Sequence, residues 1–231
     1  MHDRLVETFG RDGFAGPFRA ASERQIVAVA ETIERRVLTS EGPSPEAPVQ
    51  SRHLDSADVL ELCTRPEIVE RIAAVLGPQI VLWRSNFFPK TPGEAELEWH
   101  RDAPHWGKIL QPMINVSAWL AIDPSTRMNG CVSVIPGSNH RQYAATGEDD
   151  KFVVVNREEA EGAIPMELAP GEFFIFNQNV VHSSSANVSQ ARRLGLAIRY
   201  TLPNVVVDHE AIFPGHRSIP IHVESVKASA L

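Results

Sequence analysis

Apolar residues in the first third of the chain recur at the spacing of an α-helix. The recurrence runs from Ile26 to Val37, and Ser22 with Gln25 three residues later has the form of a capping box. Two further helices are predicted over Asp55–Leu62 and Pro66–Leu76. This part of the chain is therefore expected to be helical.

From Gln79 onward the pattern changes to short apolar runs separated by turn residues, such as Pro136-Gly137-Ser138 and Pro170-Gly171. Many short strands with regular turns are typical of a β-sandwich or barrel. The predicted strands are Ile80–Phe88, Glu96–His100, Pro112–Ile122, Cys131–Ile135, Phe152–Val155, Gly171–Asn177 and Arg192–Leu202.

We expect one domain over residues 1–231, because no polar linker separates the helical part from the strands. The helical part covers about residues 1–78, the barrel about 79–205, and a short tail follows. The predicted fold is mainly β, with the N-terminal helices packed on one outer face of the barrel. The tail is a candidate lid over a site at the barrel mouth.

Composition excludes several classes of function. The formal net charge is −7 and the sequence pI is about 5.7, so no broad basic surface for nucleic acid is expected. The sequence contains no run of about 18 apolar residues, so no membrane span is predicted. Met1–Arg11 lacks the apolar core of a secretory signal. Cys63 and Cys131 are too few for a disulfide framework, so we expect free thiols in a reducing cytoplasm.

Two histidines and an aspartate form a candidate metal site. His100 and Asp102 are two residues apart at the end of a predicted strand, and His182 ends another predicted strand. Two imidazoles and one carboxylate can hold non-haem Fe(II) and leave positions open for a co-substrate and O2. The alternative for His100 is a satisfied core histidine. The similar pair His53-Leu54-Asp55 is interpreted as a helix start, with Asp55 as its cap.

Arg193 strengthens the case for a ligand site. It begins an apolar strand 11 residues after His182, and an arginine in such surroundings needs an anionic partner. The alternative is a salt bridge to a protein carboxylate. Ser184 lies in the loop between them and offers a hydrogen bond. Trp119 has the right parity to share a strand face with Asn115 and Ser117.

These motifs, taken in order, resemble the phytanoyl-CoA dioxygenase (PhyH) family of Fe(II)/2-oxoglutarate-dependent oxygenases, which includes the ectoine hydroxylases. The resemblance covers nearly the whole chain. Its pieces are Asp12-Gly13-Phe14, Lys90-Thr91-Pro92-Gly93, Trp99-His100-Arg101-Asp102, Trp119 to Asp123, Asn129-Gly130-Cys131, Pro136-Gly137-Ser138, His182-Ser183-Ser184, Asn187, Ser189, and Arg193 to Tyr200.

The resemblance implies a double-stranded β-helix, a cupin-like jelly-roll barrel, with His100, Asp102 and His182 as ligands of Fe(II). It also implies that Arg193 binds the distal carboxylate of 2-oxoglutarate with help from Ser184. Trp119 matches a position that lines the co-substrate pocket.

Lys90 or Asn86 is expected near the end of the co-substrate that faces the metal. The alternative for Lys90 is a solvated loop lysine.

The family chemistry uses 2-oxoglutarate and O2, releases succinate and CO2, and oxidises a small molecule. Related halogenases lack the ligand carboxylate; because Asp102 is present, hydroxylation is the expected outcome. Desaturation, cyclisation and epimerisation remain alternatives within the same chemistry. Outside it, the alternatives are a non-catalytic binding domain and a metal-dependent barrel isomerase or lyase, which would not need Arg193. A nucleic-acid oxygenase is a further alternative, which the acidic balance of the chain disfavours.

Strand parity also suggests which residues face the substrate. If the faces that carry Arg193 and Trp119 point inward, the pocket is polar and partly cationic, which favours a small polar or anionic metabolite or natural-product intermediate. His105 and Trp106 follow the His100–Asp102 motif closely and are candidates to close over the substrate, with covering of the barrel end as the alternative for Trp106. Arg141, after the Pro136-Gly137-Ser138 turn, is a candidate for the rim of the pocket, with a solvated surface position as its alternative. No nucleic acid or membrane partner is expected, and monomer and homodimer both remain open. The candidate pocket residues are Arg84, Asn115, Ser117, His105, Trp106, Arg199 and Arg141.

Overall fold

The structure is a computed structural model that describes residues 2–147 and 152–224. Its helical elements are α1 (His2–Asp12), α2 (Glu23–Thr32), a π-helical turn (Ile33–Val37), a 3-10 turn (Arg52–Leu54), α3 (Ala57–Cys63), α4 (Pro66–Leu76), α5 (Asp102–Trp106), a 3-10 turn (Ser138–His140) and α6 (Arg157–Glu161). None of these helices is both long and apolar enough to cross a membrane.

Two six-stranded antiparallel sheets form the body of the protein. The major sheet has the strand order β1-β10-β5-β12-β2-β14, and the minor sheet has the order β7-β8-β3-β11-β6-β9. The major strands are β1 (Phe14–Arg19), β2 (Gln79–Lys90), β5 (Val116–Ala121), β10 (Glu172–Asn177), β12 (Arg193–Thr201) and β14 (Ile219–His222). The minor strands are β3 (Leu97–His100), β6 (Val132–Val134), β7 (Ala145–Thr146), β8 (Phe152–Val153), β9 (Ile164–Pro165) and β11 (His182–Ser184). A separate pair joins β4 (Leu110–Gln111) to β13 (Val206–Val207).

This architecture confirms the predicted jelly-roll class with helices on one outer face. Alternation along β12 separates its two sides. Leu196, Ile198 and Tyr200 pack with the helices in the main hydrophobic core, whereas Arg193 and Arg199 face a cavity on the other side. The same strand therefore stabilises the fold with one face and contributes two arginines to the cavity with the other.

The helix starts were predicted with mixed success. The capping box of Ser22 and Gln25 is present, and α4 begins at Pro66 as expected. Asp55 is not the cap of α3: the Ser56 side chain accepts from the backbone of Val59, because Asp55 is drawn into a salt bridge with Arg52.

The chain also contains elements that were not predicted. Helix α1 and strand β1 precede the first predicted helix, and β14 adds to the edge of the major sheet. In the described part of the tail, which was predicted as a candidate lid, Val205 and Val207 pack in a cluster with Trp83 and Trp106, and Ile219–His222 forms the edge strand β14. Both cysteines are buried free thiols, as predicted.

Candidate active site

The two histidines of the predicted metal site are directly opposite each other on neighbouring strands. His100 ends β3 and His182 begins β11, and their ring centroids are 4.1 Å apart. Asp102 follows two residues after His100, at the start of α5. One ligand atom from each of the three residues lies within 4.8 Å of the other two, and all three side chains are buried.

Backbone carbonyls orient both imidazole rings. The Nδ1 of His100 is 2.8 Å from the Glu98 carbonyl oxygen, and the Nδ1 of His182 is 2.9 Å from that of Val180. A carbonyl oxygen only accepts, so each Nδ1 carries the hydrogen and Nε2 is the nitrogen that can ligate a metal. Phe176 packs against the His182 ring, with 5.0 Å between centroids.

The Asp102 carboxylate suits a metal ligand. Its Oδ2 is buried without a hydrogen-bond partner, which is costly unless a further group satisfies it. Burial raises the pKa of this carboxyl, but Arg199, His182 and His100 outweigh burial, so the net pKa is lowered and the group is ionised. Two imidazoles with one carboxylate therefore fit the donor set of a divalent non-haem iron.

A cavity of about 230 Å³ opens beside these three residues and is lined by both sheets. Most of the residues selected from sequence lie around it. Those that line it are Arg84, Asn86, His100, Asp102, His105, Trp106, Trp119, His182, Ser184, Arg193 and Arg199.

Arg193 is buried in the cavity wall without a carboxylate partner. It is 5% exposed, its Nη1 donates to the Gly130 carbonyl oxygen, and its Nε has no hydrogen-bond partner. Its guanidinium carbon lies 5.4 Å from the Trp119 ring centroid. Burial lowers the pKa of Arg193, and Glu94 opposes that effect from a distance. The protein salt bridge considered as an alternative is not found among the described residues.

Lys90 is not a solvated loop lysine. It ends β2 directly opposite Arg193, and its side chain is buried. The buried Nζ donates to the Ser184 hydroxyl at 2.9 Å and to the Ser184 carbonyl at 3.2 Å. It is not among the residues that line the cavity. Lys90 thus supports Ser184, which does line the cavity, rather than reaching the metal end itself.

Arg84 and Arg199 lie at the other end of the same strand pair. Their guanidinium carbons are 4.6 and 4.9 Å from the Trp106 ring centroid. Burial and then the charge of Arg199 lower the pKa of Arg84 to about 9, while Asp102 opposes them. Trp106 is buried, so it both closes this end and contacts the arginines.

Three candidate pocket residues are not at the cavity. Asn115 and Ser117 have the expected parity but are fully buried behind it, where Asn115 accepts from Trp83 Nε1 at 2.9 Å and donates to Ser117 Oγ at 3.0 Å. Arg141 lies at the surface in a 3.0 Å salt bridge with Glu159, because the turn after Ser138 directs it away from the cavity.

Sequence reasoning did not select eight of the residues that line the cavity, and Gln50 and Phe176 show two different reasons. The eight are Gln50, Phe88, Leu97, Arg101, Val132, Phe176, Ser183 and Ala197. Gln50 lies in an irregular segment, and it reaches the cavity because its backbone bridges to Asn86 and its side chain accepts from Arg84. No local periodicity marks such a residue. Phe176 shares a strand face with Phe174, so the period of two could have indicated it.

The family model for phytanoyl-CoA dioxygenase (PhyH) matches residues 9–195. The chain therefore belongs to the phytanoyl-CoA dioxygenase family. A 2-aminoethylphosphonate dioxygenase from the uncultured bacterium HF130_AEPn_1 is 29% identical over 129 residues, which are 56% of this chain and 48% of that protein. The chain spans about half the length of the curated relatives it matches, 56% for one and 48% for another.

Solved structures have the same fold. The non-heme monooxygenase ThoJ in its apo form has a TM-score of 0.76 and 26% identity, and the match covers 88% of this chain and 79% of ThoJ. CytC3 with Fe(II) and alpha-ketoglutarate has a TM-score of 0.72 and 29% identity, with coverage of 92% and 79%.

Proposed function

We propose that the protein is an Fe(II)/2-oxoglutarate-dependent oxygenase that hydroxylates a small polar or anionic metabolite and releases succinate and CO2. The observation that carries the proposal is the position of Arg193. A buried guanidinium without a carboxylate partner shares a cavity with a His-Asp-His triad, and 2-oxoglutarate supplies a carboxylate for each.

Each part of the site has a role in this proposal. His100, Asp102 and His182 would hold Fe(II), which supplies the capacity to activate O2 when bound. Arg193, with Ser184 beside it, would bind the distal carboxylate of 2-oxoglutarate, and the Trp119 ring would limit the orientations of the Arg193 side chain. Because burial excludes water, these charge-assisted contacts are stronger than they would be at the surface.

The co-substrate assignment separates this function from a metal-dependent isomerase on the same ligands. An isomerase needs the metal ion held by the triad but has no need of the buried Arg193 guanidinium beside it. Burying Arg193 without an anion costs several kcal/mol. A site for a dicarboxylate explains why the chain bears that cost, and the similar structure of CytC3 with Fe(II) and alpha-ketoglutarate supports it.

The size of the cavity supports a small substrate. Pockets for drug-sized ligands enclose about 300–1,000 Å³, and this one has about 230 Å³. One relative is named for 2-aminoethylphosphonate, a small charged molecule, and a substrate of that size is consistent with a cavity of this volume. We therefore favour a metabolite over a long acyl chain.

The test is a substrate screen scored by succinate release. The Fe(II)-loaded protein should convert 2-oxoglutarate to succinate slowly alone and faster with the true substrate, whose product should gain one oxygen atom by mass spectrometry. The Arg193→Met variant should lose succinate release at 2-oxoglutarate concentrations that saturate the wild type. No succinate above an Asp102→Ala control, under any condition, would contradict the proposal.

A further inference from the structure

Two buried arginines face each other across strands β2 and β12. Arg84 and Arg199 are direct partners in the strand register, and both side chains line the cavity. Like charges at such positions destabilise a sheet. The pair therefore imposes a cost on the fold that a bound anion would relieve.

Protein groups leave these two charges largely uncompensated. Arg199 is 5% exposed, and its Nε and Nη1 are buried without hydrogen-bond partners. Arg84 is 7% exposed, and within the described ranges its donors meet neutral groups, the side-chain oxygens of Asn86 and Gln50. Among the described residues, Asp102 is the only acidic residue that lines the cavity, and the proposed metal would take its charge.

This cationic end is separate from the one that contains Arg193. The Arg193 guanidinium lies against Trp119 and donates to the Gly130 carbonyl, whereas those of Arg84 and Arg199 lie against Trp106. The α-carbons of Arg193 and Arg199 are six residues apart on β12, about 20 Å along a strand. A five-carbon diacid has four C–C bonds and spans at most about 6 Å. One molecule of 2-oxoglutarate held by Arg193 therefore leaves the Arg84–Arg199 end to another anion.

We propose that Arg84 and Arg199 form an oxyanion subsite that binds a carboxylate or phosphonate group of the primary substrate. This inference rests on the proposed oxygenase function and adds the chemical class of the substrate to it. Trp106, packed against both guanidinium groups, restricts their rotamers, and Gln50 orients Arg84. Since the cavity is small, the carbon that is oxidised lies within a few bonds of this anionic group.

Binding of small probes tests the subsite without turnover. The protein is loaded with Zn(II), which has no redox chemistry, and with 2-oxoglutarate, at constant ionic strength. Methylphosphonate, acetate and neutral acetamide are then titrated by ligand-observed NMR. We expect one or both anions to bind and acetamide not to bind, and their relative affinities distinguish a phosphonate substrate from a carboxylate one.

Variants assign the binding to the pair. Arg84→Gln and Arg199→Gln should each weaken anion binding at least tenfold while 2-oxoglutarate affinity stays within about twofold of the wild type. Arg193→Gln should give the reverse pattern. Arg199→Lys, which keeps the charge, should retain part of the binding if Arg199→Gln fails to fold. Arg157→Gln is the control, because Arg157 is an exposed arginine paired with Glu161.

Three results would overturn the inference. These are an absence of anion binding to the wild type, equal binding of acetamide, and a loss of 2-oxoglutarate affinity in the Arg84 and Arg199 variants as large as in Arg193→Gln. The last result would assign the pair to the co-substrate. If Zn(II)-loaded wild type fails to bind 2-oxoglutarate at all, the proposed function fails instead, and the two failures are thus distinguishable.

Discussion

Gly195 lies directly against the indole ring of Trp119. A Cβ on Gly195 would come within 2.1 Å of Trp119 Cζ2, which no real contact allows. The missing side chain lets the ring lie against β12, where it reaches the Arg193 guanidinium at 5.4 Å. A glycine in the middle of a buried strand is otherwise unfavourable, so close packing of the ring explains its presence.

The Gly195→Ala substitution should displace Trp119 and thereby disorder Arg193. We expect 2-oxoglutarate affinity to fall about tenfold or more, and stability to fall by about 1–3 kcal/mol as in other overpacked cores. Calorimetric titration of 2-oxoglutarate into the Zn(II)-loaded protein measures the first effect, and urea unfolding measures the second.

Gly10→Ala is the matched control, because Gly10 lies in helix α1 with no atom near the added Cβ. It should leave 2-oxoglutarate affinity unchanged. If Gly195→Ala behaves like Gly10→Ala, the packing of Trp119 does not position Arg193.

Arg193 and Lys90 are neighbouring cations with different expected effects. Arg193→Met should weaken 2-oxoglutarate binding by about 10- to 100-fold, since hydrogen bonds to charged groups contribute about 1.5–3 kcal/mol. Lys90→Met should have a smaller effect, because Lys90 acts through Ser184 and does not line the cavity. Equal losses, measured by the same titration, would contradict this ranking.

Two histidines outside the site should make stability depend on pH. Burial, with a contribution from Arg217, lowers the pKa of His53 to about 4, and burial, with contributions from His209, His53 and Arg84, lowers that of His216 to about 3. Both groups titrate near 6.5 when unfolded. The unfolded chain therefore binds more protons below pH 6.5, and stability falls as pH decreases from 6.5 towards about 4.

Each of these histidines should cost up to about 1.4 kcal/mol per pH unit in that window. Urea unfolding at pH 7.0, 6.0 and 5.0 measures the slope. The double variant His53→Gln/His216→Gln should have a shallower slope than the wild type, whereas the exposed control His222→Gln should not. An unchanged slope in the double variant would show that these groups do not govern acid stability.

The capping box at the start of α2 should affect stability alone. The Ser22 side chain accepts from the backbone of Gln25, and the Gln25 side chain accepts from the backbone of Ser22. Ser22→Ala should therefore lower the free energy of unfolding by about 1 kcal/mol. Affinity for 2-oxoglutarate should not change; a change would mean that α2 influences the cavity from the opposite side of the sheet.

The parts of the fold with strong periodicity could be predicted from sequence. Strand β12 alternates between apolar residues that face the helices and the residues Arg193 and Arg199 that face the cavity, and this alternation was visible in the chain. Helix α4 has a proline at its start and a glycine at its end, which define its limits locally.

The parts that depend on distant contacts could not be predicted. Strand β14 forms because β2 offers an unpaired edge, and Gln50 enters the cavity through its bridge to Asn86. Asn115 and Ser117 illustrate the opposite error, since correct parity gave them the right side of the sheet but not access to the cavity. Parity specifies a face, whereas access depends on neighbours such as Trp83 that cover it.

The most direct test of the account is an anaerobic titration of Fe(II) and 2-oxoglutarate followed by visible absorption. A weak charge-transfer band should appear only when both are present, with one Fe(II) per chain. It should be absent from His182→Ala, which removes a metal ligand, but present in the exposed control His222→Ala. Absence of the band from the wild type at saturating Fe(II) and 2-oxoglutarate would contradict the account.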